Sequence, residues 1–250
     1  ITDKTRAIIC VNLAGILAPI EQIRNIYSGL IIEDCAHACY TPGAGANADV
    51  AVWSFQAVKT MPTGDGGMIT TDDDDIAAKI RKLTWFGIQS TYDRVKHNIS
   101  EDEHKSIYKW EYDINVLGYK YYMIDLTAAL GLSQMSRLQD TMKRRQFIQE
   151  KYNQGFSKIL QEVQIPPYSH SVQHYVIKVN PDKRNQLIDY LKDKNIHTSV
   201  HYRPLHLFTQ FRDDSGFPVA DKEWKRMLTL PVHMNMTDDD INYVIYWVTE

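Results

Sequence analysis

The sequence predicts an α/β fold in two parts: residues 1–122, part of a large unit with a mixed or parallel sheet, and residues 123–250, a long connecting helix followed by a small C-terminal α/β unit. Three observations predict it. Short apolar runs bounded by Gly, Pro or acidic residues occupy 5–11, 30–34, 50–55 and 68–71, a length that suits buried strands rather than helices. Helical spacing appears beside them, which implies βαβ units. Beyond Pro166-Pro167 a second alternation of apolar runs and helical segments begins.

The elements follow in order. Residues 5–11, TRAIICV, read as a buried strand. Pro19 opens the segment PIEQIRNIYS and suits the first turn of a helix, with Ile20, Ile23 and Tyr27 along one face. The next strand, 30–34, ends in Glu33-Asp34. CAHACY then reads as a short helical turn, and the Gly/Ala-rich loop after it lets backbone approach a ligand closely. Strands 50–55 and 68–71 flank a loop that holds Lys59. The acidic run 72–75 reads as cap and first turn of the helix IAAKIRKL, where carboxylates complement the helix dipole. Residues 89–115 are polar and carry Tyr92, Tyr108, Trp110 and Tyr112, an excursion long enough to suggest a functional loop. From 123 to about 160 the pattern is helical, with Leu126, Leu130, Met135, Leu138 and Met142 at mostly three- and four-residue steps, although Gly131 weakens it. In the last part VQHYVIKV reads as a strand, KRNQLIDYLKDKN as a helix and IHTSVHY as a strand. A loop to Pro218, a helix through Trp224, the short strand TLPVH and a final helix, DDDINYVIYWVT, complete the chain.

Composition bounds the function. The chain has 250 residues, 44% hydrophobic and 24% charged, with a net charge of −3. Such a balance leaves no basic footprint for nucleic acid. No apolar stretch approaches the roughly 20 residues of a bilayer span. The three cysteines, Cys10, Cys35 and Cys39, form no zinc pattern and read as reduced thiols of a cytoplasmic protein. His201 and His206 lack a third ligand at fitting spacing, so no metal site is expected.

The chemistry concentrates between residues 30 and 71. Ligands of open α/β sheets lie beyond the carboxyl ends of parallel strands, and Asp34 and Lys59 each follow such an end. A partly desolvated lysine is a nucleophile for carbonyls. An aspartate beside a pyridine nitrogen keeps that nitrogen protonated. Together they make the pyridoxal phosphate arrangement, although a lysine after a strand is also the commonest kind of solvated residue.

The wording of this stretch resembles a known family. EDCAHA, followed by SFQAVKTMPTGDGGMITTDD, is similar to the active-site signature of the DegT/DnrJ/EryC1/StrS sugar aminotransferases, roughly E-D-x-A-[HQ]-A, then S-F-x-x-x-K, then T-G-x-G-G. IRKLTWFGI, GYKYYMIDLTAALGLSQMSRL, VQHYVIKV, HTSVHYRPLH and LTLPVHMNMT have counterparts in family order. The resemblance therefore covers nearly the whole chain. It implies a fold-type I enzyme using pyridoxal 5'-phosphate, with an incomplete large domain and a smaller C-terminal one. Family members usually carry a further N-terminal segment holding a phosphate cup and a ring-stacking residue, so this chain is expected to correspond to their C-terminal two thirds.

The resemblance also implies roles. Lys59 would carry the Schiff base and then move protons, Asp34 would pair with the pyridine nitrogen, and His37 would lie near the ring. Ser54 matches a serine that binds the cofactor phosphate. Lys120, in GYKYYM, would reach the phosphate of a partner subunit, although Tyr122 departs from the Arg or Asn found in relatives. His201, Tyr202 and Arg203 resemble a block at the mouth of the site that contacts substrate; strand-end packing is an equal reading for the first two. Implied partners are a nucleotide-linked keto-sugar, an amino-acid donor (L-glutamate) and a second copy in a homodimer, with neither nucleic acid nor membrane. Two alternatives stand beside transamination. One is a sugar dehydratase relative, in which histidine replaces the lysine. The other is a non-catalytic dimerisation or regulatory partner.

Overall fold

The computed structural model describes residues 1–88, 114 and 116–250. The polar excursion read over 89–115 lies, Ile114 apart, outside them. Four strands form the first sheet in the order β1 (Ala7–Val11), β2 (Leu30–Asp34), β3 (Val50–Ser54), β4 (Gly67–Thr70). The first three are parallel and β4 is antiparallel to β3. Register sets Asp34 between Val11 and Val52, at the carboxyl end of the parallel set. The loop that joins β3 to β4 carries Lys59 from the same end.

Helix α1 covers only Ile20–Arg24, shorter than the helical pattern. The Arg24 side chain turns back to donate to Gly29 O at 2.8 Å and to Asp49 at 2.9 Å, which closes the turn into β2. Helix α2 (Asp74–Thr84) begins as the acidic run suggested: Asp73 caps it, accepting from Ile76 N at 2.9 Å, and Asp74 and Asp75 occupy the first turn.

Helix α3 (Asp125–Phe156) joins the two halves of the chain. Its apolar spacing divides. Leu138 and Met142 are buried with Phe55 and Met61, over the lysine loop. Leu126, Leu130 and Met135, expected on the same face, are exposed. Gly131 is explained by closeness, since a Cβ there would stand 3.2 Å from Thr63 Cγ2. Further along, Ile148, Tyr152 and Phe156 enter the main core. There they meet Tyr175 and Ile177 of β5 (Tyr175–Lys178), Leu191 of α4 (Pro181–Asp193), Leu228 and Leu230 of β6 (Met227–Leu230), and Ile241 and Val244 of α6 (Asp238–Thr249). Strands β5 and β6 pair antiparallel, and α5 (Pro218–Trp224) precedes β6.

Two expected strands come out differently. Residues 196–202 form no strand; Ser199 makes one isolated bridge to Thr229. VQHYVIKV is strand only from Tyr175. Val172 sits at φ 42°, a region rare for a β-branched residue, and this bend turns residues 169–174 into a strap across the first sheet's loops. Strand β6 begins at Met227 and stops before Pro231, which cannot donate to the ladder.

Candidate active site

Residue Asn12 follows β1 directly and organises the end of the sheet. It is buried, donates to Glu33 Oε1 at 2.6 Å and accepts from Ala18 N at 2.8 Å. Glu33, also buried, accepts from Gly45 N through its other oxygen at 3.0 Å. Alternation along β2 then points Asp34 to the opposite face. Asp34 Oδ1 accepts from Ala36 N at 2.9 Å, which opens the turn that carries His37.

His37 is buried, and its Nδ1 accepts from Ala14 N at 3.3 Å. Burial first, then the charge of Lys59, lowers its pKa to about 4 despite the opposing pull of Asp34. The imidazole is therefore neutral at physiological pH. Its ring stacks with Tyr202 at 6.3 Å between centroids and meets His174 edge-on at 4.8 Å.

Lys59 is half-buried. Desolvation lowers the pKa of its amine, and the Asp34 carboxylate acts in the opposite sense. The same carboxylate, after burial, raises the phenol pKa of Tyr202. Asp34, His37, Lys59 and Tyr202 thus lie within electrostatic or ring-stacking reach of one another beyond the strand ends. His201 joins them: its ring stacks on His174 at 3.9 Å, its Nδ1 is 2.8 Å from Thr229 Oγ1, and burial followed by the Lys59 charge lowers its pKa.

Other expected residues lie differently. Ser54 ends β3, and its hydroxyl accepts from Gln56 N at 3.4 Å, so its own proton remains for a donor role. Lys120 is exposed, bridged through its backbone to Trp85 and with its amine 5.9 Å from the Tyr122 ring centroid. Arg203 turns to its own loop, donating to Leu207 O at 3.0 Å and lying over Phe208. His206 pairs with Asp221 at 2.9 Å. Among the described residues, no group of three His, Cys, Asp or Glu could hold a metal ion.

Sequence reasoning missed Gln173 and His174, which VQHYVIKV presents as ordinary strand residues. The strap that carries them is tied to each site loop. Ser169 Oγ donates to Ala14 O at 3.2 Å; Ser171 Oγ lies 2.7 Å from Thr41 Oγ1 and donates to Cys39 O at 3.2 Å. Burial, followed by the charges of its neighbours, lowers the His174 pKa to about 3. Its one visible signal is a histidine beside an apolar run.

This donor set fits pyridoxal phosphate. A half-buried amine of depressed basicity, a carboxylate opposite it and a neutral imidazole stacked with a phenol are what an aldehyde on a cationic pyridine ring requires. Known structures agree. The aminotransferase TlmJ from Streptoalloteichus hindustanus superposes with a TM-score of 0.85 at 28% identity, over 99% of this chain and 66% of that one. Spr1654 from Streptococcus pneumoniae, solved in a PLP-form and a PMP-form, gives 0.85 at 28% identity over 98% and 68% for the PLP-form. The fold is thus that of the fold-type I, pyridoxal-phosphate-dependent aminotransferases. Within that class, the chain belongs to the DegT/DnrJ/EryC1/StrS aminotransferase family, whose model matches residues 1–249. It is 36% identical over 268 residues to the spore coat polysaccharide biosynthesis protein SpsC of Bacillus subtilis, and 37% identical to the uncharacterized protein MJ1066 of Methanocaldococcus jannaschii. Each match takes in 98% of this chain, which spans 66% of the length of either relative.

Proposed function

We propose that this chain provides the reaction centre of a sugar aminotransferase, which moves an amino group from an amino-acid donor to a nucleotide-linked keto-sugar. The observation that carries the reading is that Asp34 ends the parallel strand β2 while Lys59 leaves the same end of the sheet on the loop after β3, near enough for the carboxylate to act on an amine that burial makes less basic. When bound, pyridoxal phosphate supplies an electron sink. Lys59 would hold the cofactor, and its amine, of moderate basicity and within hydrogen-bond reach, would be the group that moves a proton at the substrate carbon. Asp34 keeps the ring nitrogen protonated. His37, neutral, would lie beside the ring, and the Ser54 hydroxyl would donate to the phosphate. Tyr202 and His201 form the wall that a sugar or a donor such as L-glutamate would meet.

The sugar class is supported by the family and by SpsC, a polysaccharide biosynthesis protein. Retention of lysine at position 59 favours transamination over the dehydratase variant. The homodimer reading rests on exposed apolar side chains along the first half of α3, Leu126, Leu130, Leu132 and Met135, beside exposed Tyr119, Tyr121 and Lys120. No helix of the described residues is long and apolar enough to cross a membrane, and a cytoplasmic setting is part of the proposal.

The test is an absorption spectrum of the chain with pyridoxal phosphate, before and after borohydride, followed by peptide mapping. A visible band that reduction locks onto Lys59 is expected, and keto-sugar nucleotides with L-glutamate as donor would then be screened for turnover. Absence of the band in a folded chain that has also been supplied with an N-terminal segment from a relative would favour the non-catalytic reading.

A further inference from the structure

We propose that Gln173 is a positioning residue for Lys59, its carboxamide bracketing the lysine by bonding the peptide groups on both sides of it. Gln173 Oε1 accepts from Thr60 N at 3.1 Å and from Thr60 Oγ1 at 2.9 Å. Its Nε2 donates to Val58 O at 3.0 Å. One side chain, 113 residues away in sequence from Thr60, thus holds the residue before Lys59 and the residue after it.

The bonds to Thr60 are buried, Gln173 being 5% exposed and Thr60 6%, and the bond to Val58 O is partly buried. Buried hydrogen bonds are costly to leave unmade, so the loop cannot turn at Lys59 without orphaning both ends of the amide. The carboxamide suits the task, because it has an acceptor and a donor on one rigid plane. A carboxylate offers only acceptors, and an apolar side chain offers neither.

The anchor is itself held. Arg145 on α3, also buried, donates to Val172 O at 3.0 Å, and Val172 N donates to Ser169 Oγ at 3.2 Å. Gln149 on the same helix exchanges bonds with the backbone of Ser169, accepting from its N–H at 3.2 Å and donating to its carbonyl at 3.3 Å. These contacts pin Val172 at its positive φ and aim the next residue at the lysine loop. Position therefore passes from the helix that packs against both sheets, through the strap, to the peptide groups around Lys59. No part of the loop's own sequence specifies this.

The consequence concerns the amine. The loop end holds Lys59 partly out of water, within electrostatic reach of Asp34, at the end of β2; His37, on the turn after β2; His174, on the strap; and His201, before β6. A loop released from Gln173 would let the amine swing into solvent. For catalysis the inference rests on the reading of Lys59 as the cofactor lysine, but its test does not need the cofactor.

The experiment is the pH dependence of Lys59 acylation by acetic anhydride on the full chain without cofactor, read by peptide mass spectrometry against the other lysines. Gln173→Ala is expected to raise the midpoint for Lys59 by about one pH unit toward the ordinary lysine value, leaving the other lysines unmoved. Gln173→Glu is expected to raise it too, since the carboxylate cannot donate to Val58 O. Thr60→Ser keeps every bond and should match the parent. Ser171→Ala cuts an equally buried strap contact that does not touch the loop, and should leave the Lys59 midpoint in place. A parent-like midpoint in Gln173→Ala, or an equal rise in Ser171→Ala, would overturn the proposal. If Gln173→Ala does not fold, Gln173→Met keeps the length and bulk of the side chain and makes neither peptide-group bond, and a midpoint that fails to rise there overturns the proposal as well. Failure of the cofactor to link to Lys59 in the parent would sink the aminotransferase reading and leave this result standing.

Discussion

His37 Nδ1 accepts the backbone N–H of Ala14 at 3.3 Å, 23 residues away in sequence. That bond fixes the tautomer: Nδ1 carries no proton, so Nε2 is the donor. Protonation of Nδ1 would set two N–H groups against each other. The imidazole is thus held neutral by a hydrogen bond as well as by burial. His37 also links the loop after β1 to the turn after β2, and so ties two walls of the site.

Stability should respond to acid through this ring. The pKa values of His37 and His174 are lowered to about 4 and about 3, while the unfolded chain titrates near 6.5. Between those limits the unfolded state binds more protons, so stability is fully present above about pH 6.5 and is lost as pH falls toward 4. Each group can contribute up to about 1.4 kcal/mol per pH unit. Urea unfolding midpoints measured from pH 7 to pH 4 should fall, and His174→Gln should flatten the dependence. Equal slopes in parent and variant would refute this assignment.

Lys59→Ala should abolish covalent retention of pyridoxal phosphate after borohydride, and turnover should drop by about a thousandfold or more, because the residue both holds the cofactor and moves the proton. Peptide mapping provides the check: cofactor found reduced onto another lysine in the parent would place the reaction centre elsewhere.

Asp34→Asn preserves the acceptor for Ala36 N and removes the charge. The carboxylate raises the pKa of Lys59 against desolvation, so its loss should lower that pKa further, and Lys59 should acylate at lower pH than in the parent. The ring nitrogen would lose its counter-charge, so turnover should fall about a hundredfold while the lysine remains reactive. An unchanged acylation profile would show that the two groups do not face each other.

Gly15 lies at φ +87°, and a Cβ there would stand 2.5 Å from Ser169 Oγ, 2.8 Å from Ser171 Cβ and 3.1 Å from His37 O. Gly15→Ala should destabilise the chain by about 2 kcal/mol or more through strain and overpacking. It should also displace the strap, because the clash lies where three site segments meet. A thermal midpoint within a degree of the parent would show that the strap yields freely.

Asn12→Ala would remove the amide that donates to the buried carboxylate of Glu33. A carboxylate stripped of one charge-assisted partner costs about 1–3 kcal/mol. The double variant Asn12→Ala, Glu33→Ala should cost less than the sum of the two single changes. Additive costs would indicate that the pair is not coupled.

Much of this protein was determined locally. The short apolar runs ended in Asp34 and Ser54 because strands of that length bounded by acid, Gly and Pro have few other ways to bury themselves, and the acidic run before α2 capped it as its chemistry requires. The motif around Asp34, His37 and Lys59 carried the family, since each residue sits a few positions from a strand end. Distance along the chain hid the rest. VQHYVIKV has the periodicity of a strand throughout, yet its first three residues are bent away by Val172 and claimed by the site. Leu126 and Leu138 follow one apolar spacing, but among the described residues Leu126 stays exposed while Leu138 packs into a cluster with Phe55, Met61 and Met142. Arg203 stands in the same short block as Tyr202 and turns elsewhere. Periodicity records which residues share a face of one element; what that face meets is set by packing between elements remote in sequence, and only the tertiary structure decides it.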